Sequence, residues 1–193
     1  MKLIFPIPAE IIRNIEYETR EICASLTIYN QNLIIDNSSI VYGSPVEIGE
    51  RASCSLKYYT PIIFHTHPRT SYATPSFEDI NKVLKHQKIK TSVIVTNWGV
   101  FQIVKMKDAS FILDNRILEK ILECINYINL NTVNPEYLRH RGTVSSHGLN
   151  KNLDWSQLSE LQIKKVYEQL EIINIALFNK AKIFLNEPYI YVF

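Results

Sequence analysis

Glycine is scarce in this chain, at five of 193 residues, and the scarcity removes whole classes of site. A phosphate-cradling loop needs closely spaced glycines so that backbone N–H groups can approach the ligand, and none is present. The G-x-S-x-G elbow that exposes a nucleophilic serine is also missing. Three cysteines, Cys23, Cys54 and Cys124, are widely spaced and include no C-x-x-C pair. Neither a zinc knot nor a disulfide framework is expected from them, and a reducing compartment fits best. Cys23 and Cys124 stand among apolar neighbours and read as small buried hydrophobes, and Cys54 has no nucleophile motif around it. No stretch approaches the roughly 18 apolar residues of a membrane span. Pro6 interrupts the apolar start before any cleavage-like site, so no signal peptide is expected. No excess of one charge exists either: 21 basic and 19 acidic residues are mixed along the chain, for a net charge of +2. That balance leaves no nucleic-acid footprint, and Lys82, Lys85, Lys88 and Lys90 read as a solvated helix face with its exit loop.

What is present is an ordinary globular composition, 46% apolar and 21% charged, enough for one domain or one domain with an extension. The wording is rich in Ile and Asn, which suggests an AT-rich genome such as that of a large DNA virus or an intracellular parasite. A cytoplasmic protein, with host cytoplasm included, is the expectation.

Hydrophobic periodicity organises the chain. Ile11, Ile12 and Ile15 predict a helix over 8–20, with Pro8 suited to its first turn. Residues 21–29 turn to β-favouring types, and 33–35 and 39–42 read as short strands about the Asp36-Asn37 turn. A polar stretch, 43–57, has no readable pattern. Residues 58–67 read as a buried strand halted by Pro68, and 76–87 as a helix carrying Ile80, Val83 and Leu84 inward. Residues 92–96 and 100–104 form a hairpin about Asn97-Trp98-Gly99. Helices are predicted over 114–130 and 155–180, a polar mobile loop over 131–152, and a last strand over 189–193.

The chemistry concentrates between residues 65 and 79. In His65-Thr66-His67-Pro68, side chains two apart on a strand project to the same side, so both imidazoles can face one ion. Zinc accepts imidazole nitrogen, and a catalytic site needs three protein ligands with a fourth position left for water. Pro75-Ser76-Phe77-Glu78-Asp79 offers two carboxylates on the first turn of the next helix. Asp79 lies three residues after Ser76, on nearly the same helical side, and is chosen over Glu78. Taken alone, a His-x-His pair is commonly chance, and Ser76-x-x-Asp79 is commonly a helix cap favoured by the helix dipole. Their adjacency within one short window changes that balance.

This run, His65-Thr66-His67-Pro68 followed by Ser76-Phe77-Glu78-Asp79, resembles the signature of the JAMM/MPN (JAB-domain) zinc metalloproteases, E…HxHP…SxxD. Pro75 to Ile80 also resembles the version in bacterial RadC-type relatives. The resemblance implies that His65, His67 and Asp79 bind Zn2+, that an early glutamate activates water, and that Ser76 helps stabilise the tetrahedral intermediate. In relatives the glutamate precedes a strand of the form E-x-C-G-x-L. Glu21-Ile22-Cys23-Ala24-Ser25-Leu26 is similar, with Ala24 where glycine is usual. Glu18, Glu47 and Glu50 are its competitors. The segment from His67 to Ser76 is one residue longer than is usual in the family, which a loop absorbs at little entropic cost.

The resemblance covers about 8–104. It implies an α/β fold, the cytidine-deaminase-like mixed sheet flanked by helices of the MPN/JAB domain. A catalytic core over 1–107 with a mostly helical C-terminal extension, 108–193, packed on it is the expected organisation. It further implies hydrolysis of peptide or isopeptide bonds, in the manner of a deubiquitinase acting on ubiquitin or ubiquitin-like conjugates. An activating protein partner is common among relatives, and no nucleic acid or membrane partner is expected. The alternatives are a non-catalytic MPN-type scaffold and a RadC-like protein linked to DNA metabolism. His86 is expected exposed, and His140 and His147 fall in the polar loop, where a place beside a substrate cleft is the less favoured reading.

Overall fold

A computed structural model describes residues 7–17, 20–30, 32–44, 54–106, 112–140 and 151–186. The predicted elements take these bounds: α1 Ala9–Tyr17, β1 Ile22–Tyr29, β2 Asn32–Ile35, β3 Val41–Tyr42, β4 Ile62–Thr66, α2 Phe77–Lys85, β5 Thr91–Thr96 and β6 Gly99–Lys105. Then follow α3 Asn115–Thr132, α4 Pro135–His140, α5 Glu160–Ala176 and β7 Ala181–Asn186. Helix starts obey side-chain chemistry. Asp114, Ser76 and Ser159 cap α3, α2 and α5, each accepting a hydrogen bond from a backbone N–H of the first turn.

The strands form one seven-stranded sheet in the order β2-β1-β4-β5-β6-β7, with β3 also paired to β1. Only β4 and β5 run parallel, because α2 carries the chain back between them. The remaining pairings are antiparallel. Successive side chains on a strand alternate in direction, and here both directions are covered. Phe64, Val93 and Val95 pack with Ile11 and Ile15 of α1. Ile63, Ile94, Phe101 and Ile103 pack with Ile80 and Leu84 of α2, Ile121 of α3 and Leu170 of α5. The result is helices on both faces of a mixed sheet.

Three differences from the sequence reading stand out. The helix predicted over 155–180 begins later, after a 3-10 turn at Trp155–Gln157, and ends where Phe178 and Asn179 adopt positive φ. The chain then forms β7, which adds to the sheet beside β6; the strand expected over 189–193 lies outside the described residues. The polar segment 131–152 is not simply a loop, since it holds α4 and a bridge between Val133 and Asn152. Most consequential is Cys23, which is disulfide-bonded to Cys54 with Cα atoms 5.9 Å apart. That corrects the expectation of no disulfide. The pairing joins a strand to the far end of an unreadable segment, an adjacency that cysteine spacing cannot reveal. Cys124 is the free, buried cysteine. No helix among the described residues is long and apolar enough to cross a membrane.

Two outcomes are expected from this packing. Ile173 is 1% exposed and Ile175 66% exposed on the same helix. Urea denaturation of Ile173→Ala should show a loss of about 2–5 kcal/mol, with Ile175→Ala within about 0.5. Thiol titration of the oxidised protein, unfolded without reductant, should find the Cys124 thiol alone and all three thiols after reduction; three before reduction would refute the disulfide.

Candidate metal centre

Sheet parity builds the site. Ile63 faces the α2 side of the sheet, so His65 and His67, two and four residues on, face it too. At Ile63 that face is apolar and part of one core with Ile80, Val83 and Leu84 of α2. At the carboxyl end of β4 it meets the first turn of α2 instead, where the side chains are polar. His67 keeps the strand's line past the end of β4 because its N–H donates to Val95 O at 2.9 Å.

Asp79 comes from the other side. Ser76 is the N-cap of α2, and its Oγ accepts from Asp79 N at 3.2 Å. Asp79 Oδ2 reciprocates, accepting from Ser76 N at 2.7 Å and from Ser76 Oγ at 2.8 Å. This capping box orients the carboxylate towards the strand end. Its oxygens then meet the imidazoles: Oδ1 lies 3.1 Å from His65 Nε2 and Oδ2 3.4 Å from His67 Nε2. The two Nε2 atoms are 3.3 Å apart, and all three residues are buried. The cap reading and the ligand reading of Ser76-x-x-Asp79 therefore describe one carboxylate.

The fit to a small divalent cation can be tested on these edges. Ligands about 2.0–2.1 Å from a tetrahedral zinc lie about 3.3–3.4 Å from one another. The two Nε2 atoms stand at that spacing, 3.3 Å; the carboxylate approaches them at 3.1 and 3.4 Å through its two different oxygens, and one donor atom from each residue lies within 4.8 Å of the others. The donor set matches as well, two imidazole nitrogens and a carboxylate. His67 Nδ1 lies 3.0 Å from Tyr72 O. A carbonyl only accepts, so Nδ1 carries a proton and Nε2 is the nitrogen turned towards His65 and Asp79, the orientation of metal-ligating histidines.

The electrostatics follow from burial and company. Burial alone would raise the Asp79 carboxyl, but His65 and His67 hold it well below the usual carboxylate range. Burial pulls the His67 imidazole down, and the Asp79 hydrogen bond and charge, with Glu21 and the Tyr72 carbonyl, more than reverse it.

Glu21 stands just before β1. Cys23 pairs with His65 in the antiparallel register, so the next same-face pair is Glu21 with His67. Ile22 N between them donates to Thr66 Oγ1 at 2.9 Å. Glu21 is buried; burial pushes its carboxyl up, against the opposing pull of the nearby His67 and His65. Glu21, His65 and His67 thus share this face at the strand end, Asp79 reaches them from α2, and Ser76, the fifth expected site residue, hydrogen-bonds Asp79. Glu18, Glu47, Glu50 and His147 lie outside the described residues. His140 is exposed at the end of α4. His86 is half-buried against Tyr59, ring centroids 4.3 Å apart, and so is not the exposed residue expected. Tyr72 was passed over because it contributes a backbone carbonyl, which no side-chain pattern announces.

Compared with models of known protein families and with curated proteins, the chain matches none.

Removing the Ser76 hydroxyl isolates the cap. Ser76→Ala is expected to lower stability by about 0.5–2 kcal/mol in urea denaturation; an unchanged midpoint would mean that the capping box does not form in solution.

Proposed function

We propose that this chain is a zinc-dependent metallopeptidase of the JAMM/MPN type, hydrolysing peptide or isopeptide bonds, with ubiquitin or ubiquitin-like conjugates as substrates. One observation carries the reading. Two Nε2 atoms and a buried carboxylate converge closely enough to share one ion, with a second buried carboxylate, Glu21, on the same face. The mixed sheet flanked by helices accords with the cytidine-deaminase-like MPN fold, and the choice of substrate rests on the motif resemblance.

His65, His67 and Asp79 would hold the ion, leaving its fourth position to solvent. When bound, zinc supplies a Lewis acid that polarises a carbonyl and makes water acidic enough to ionise near neutral pH. Glu21 is suited to take the proton from that water and return it to the leaving amine. Burial raises its basicity, as a base working near neutrality requires. Ser76 has one hydroxyl proton, which Asp79 Oδ2 accepts in this structure. Donation to a developing oxyanion therefore competes with the capping box, and each such donor is typically worth about 3 kcal/mol.

The test separates binding from turnover. His65→Ala, His67→Ala and Asp79→Ala should lose both zinc, read by metal analysis, and cleavage of ubiquitin chains assayed with zinc and with chelator. Glu21→Gln should keep its zinc and lose roughly 10²–10⁴-fold in rate. A zinc-loaded wild type inert on peptide and isopeptide substrates refutes the hydrolase, and full activity in Glu21→Gln refutes the base.

A further inference from the structure

We propose that Asn152 is a positioning residue for His67, acting through the single peptide group that joins Tyr72 to Ala73. The inference rests on the metal-site reading above and concerns how the far end of the chain sets one ligand's orientation.

The carbonyl and the N–H of that peptide are both engaged, on opposite edges of one plane. Tyr72 O accepts from His67 Nδ1 at 3.0 Å, and Ala73 N donates to Asn152 Oδ1 at 2.8 Å. A peptide group is rigid, so displacing its N–H edge displaces its carbonyl edge as well. Asn152 is in turn anchored: its Nδ2 donates to Thr132 Oγ1 at 2.8 Å, and Thr132 Oγ1 donates to Ile128 O at 2.8 Å. Every direction in this chain is forced. Ile128 O can only accept, so the Thr132 hydroxyl spends its proton there and accepts from Asn152. Ala73 N–H can only donate, so Asn152 must present oxygen to it.

The relay therefore runs from the last turns of α3 to the imidazole in four hydrogen bonds. Ala73, Thr132 and Asn152 are buried, so water does not compete, and bonds in series strengthen one another. The Asn152 backbone is held independently: Asn134 N donates to Lys151 O at 2.9 Å and Leu153 N to Thr132 O at 2.9 Å. A parallel brace ties the next residue, Thr74 Oγ1 donating to Asn129 Oδ1 at 2.8 Å. Holding Nδ1 as the protonated nitrogen leaves Nε2 directed at His65 and Asp79. Outer partners of this kind set ring orientation and ligand basicity.

The experiment measures zinc affinity by chelator competition alongside circular dichroism. Asn152→Ala should bind zinc about 10–100-fold more weakly than the wild type with its fold intact. Unchanged affinity in a folded Asn152→Ala overturns the proposal. Should that variant not fold, Thr132→Val removes the anchor alone, and unchanged affinity there overturns it equally. Nitrogen-15 NMR of the zinc-free wild type gives a reading that needs no variant: His67 should carry its proton on Nδ1, and a neutral Nε2–H tautomer refutes the relay. A wild type that takes up no zinc defeats the metal-site reading instead, and the tautomer still decides the relay.

Discussion

The Asp79 carboxylate is the group on which the rest of the site depends. It is buried, and a buried charge is expensive unless hydrogen bonds and opposite charge surround it. Here Ser76 supplies an N–H and an O–H at 2.7 and 2.8 Å, and two imidazoles approach from the other side at 3.1 and 3.4 Å. Neither half suffices alone. The cap would be adequate for a solvated helix end, where water completes the carboxylate's shell. In a buried place the histidines take over that role, and a cation among them would complete it. Helix placement and ligand placement are thus one structural decision.

Sheet parity explains why a single face serves both the core and the site. The residues at 63, 65 and 67 project one way, as do 21, 23 and 25 on the neighbouring strand. In the middle of β4 this face belongs to the same apolar core as Ile80, Val83 and Leu84 of α2. At its end the helix has just begun, so the facing groups are those of a first turn: a capping serine and an acidic residue. A site at the carboxyl end of a parallel strand, against a helix N-terminus, follows from the crossover itself. Cys23 stands in register with His65 and is bonded to Cys54, so the chain after β3 is fastened beside the same face.

What could be read from the sequence is what local spacing encodes. His65 and His67 show the strand period, Ser76 and Asp79 the first-turn spacing, and the apolar positions of α2 the helical period; each is a relation between residues close in the chain. The hairpin about Asn97-Trp98-Gly99 was legible for the same reason, with Gly99 at φ 130 in a conformation suited to glycine. What escaped depends on distant segments meeting. The Cys23–Cys54 pair, the β7 pairing with β6 and the Asn152 contact with Ala73 have no local signature. Asn152 in particular sits in a polar stretch whose composition reads as loop, and only its burial distinguishes it. Tyr72 and Ile128 contribute backbone oxygens, for which the identity of the residue is immaterial. The motif resemblance favoured Glu21 over Glu18, Glu47 and Glu50, and strand register puts Glu21 on the same side as the histidines.

The C-terminal segment is joined to this site by more than apolar packing. Arg69, two residues after His67, reaches Asp154 at 3.1 Å, and Asp154 also accepts from Asn97 Nδ2 at 3.1 Å. Trp98 Nε1 donates to Leu153 O at 2.7 Å. The loop leaving β4 and the β5–β6 turn are thus both fastened to residues 151–154. Such contacts hold a ligand's surroundings at fixed geometry, which a metal centre needs more than a hydrophobic core does, since a core tolerates repacking and a coordination shell does not. Metal binding at these residues would then be linked to the packing of the C-terminal segment. Any ligand that favours the ordered loop stabilises the contacts holding it, and loosening those contacts lowers affinity by the same free energy. The far end of the chain is in this sense part of the site, although it supplies none of the proposed ligands.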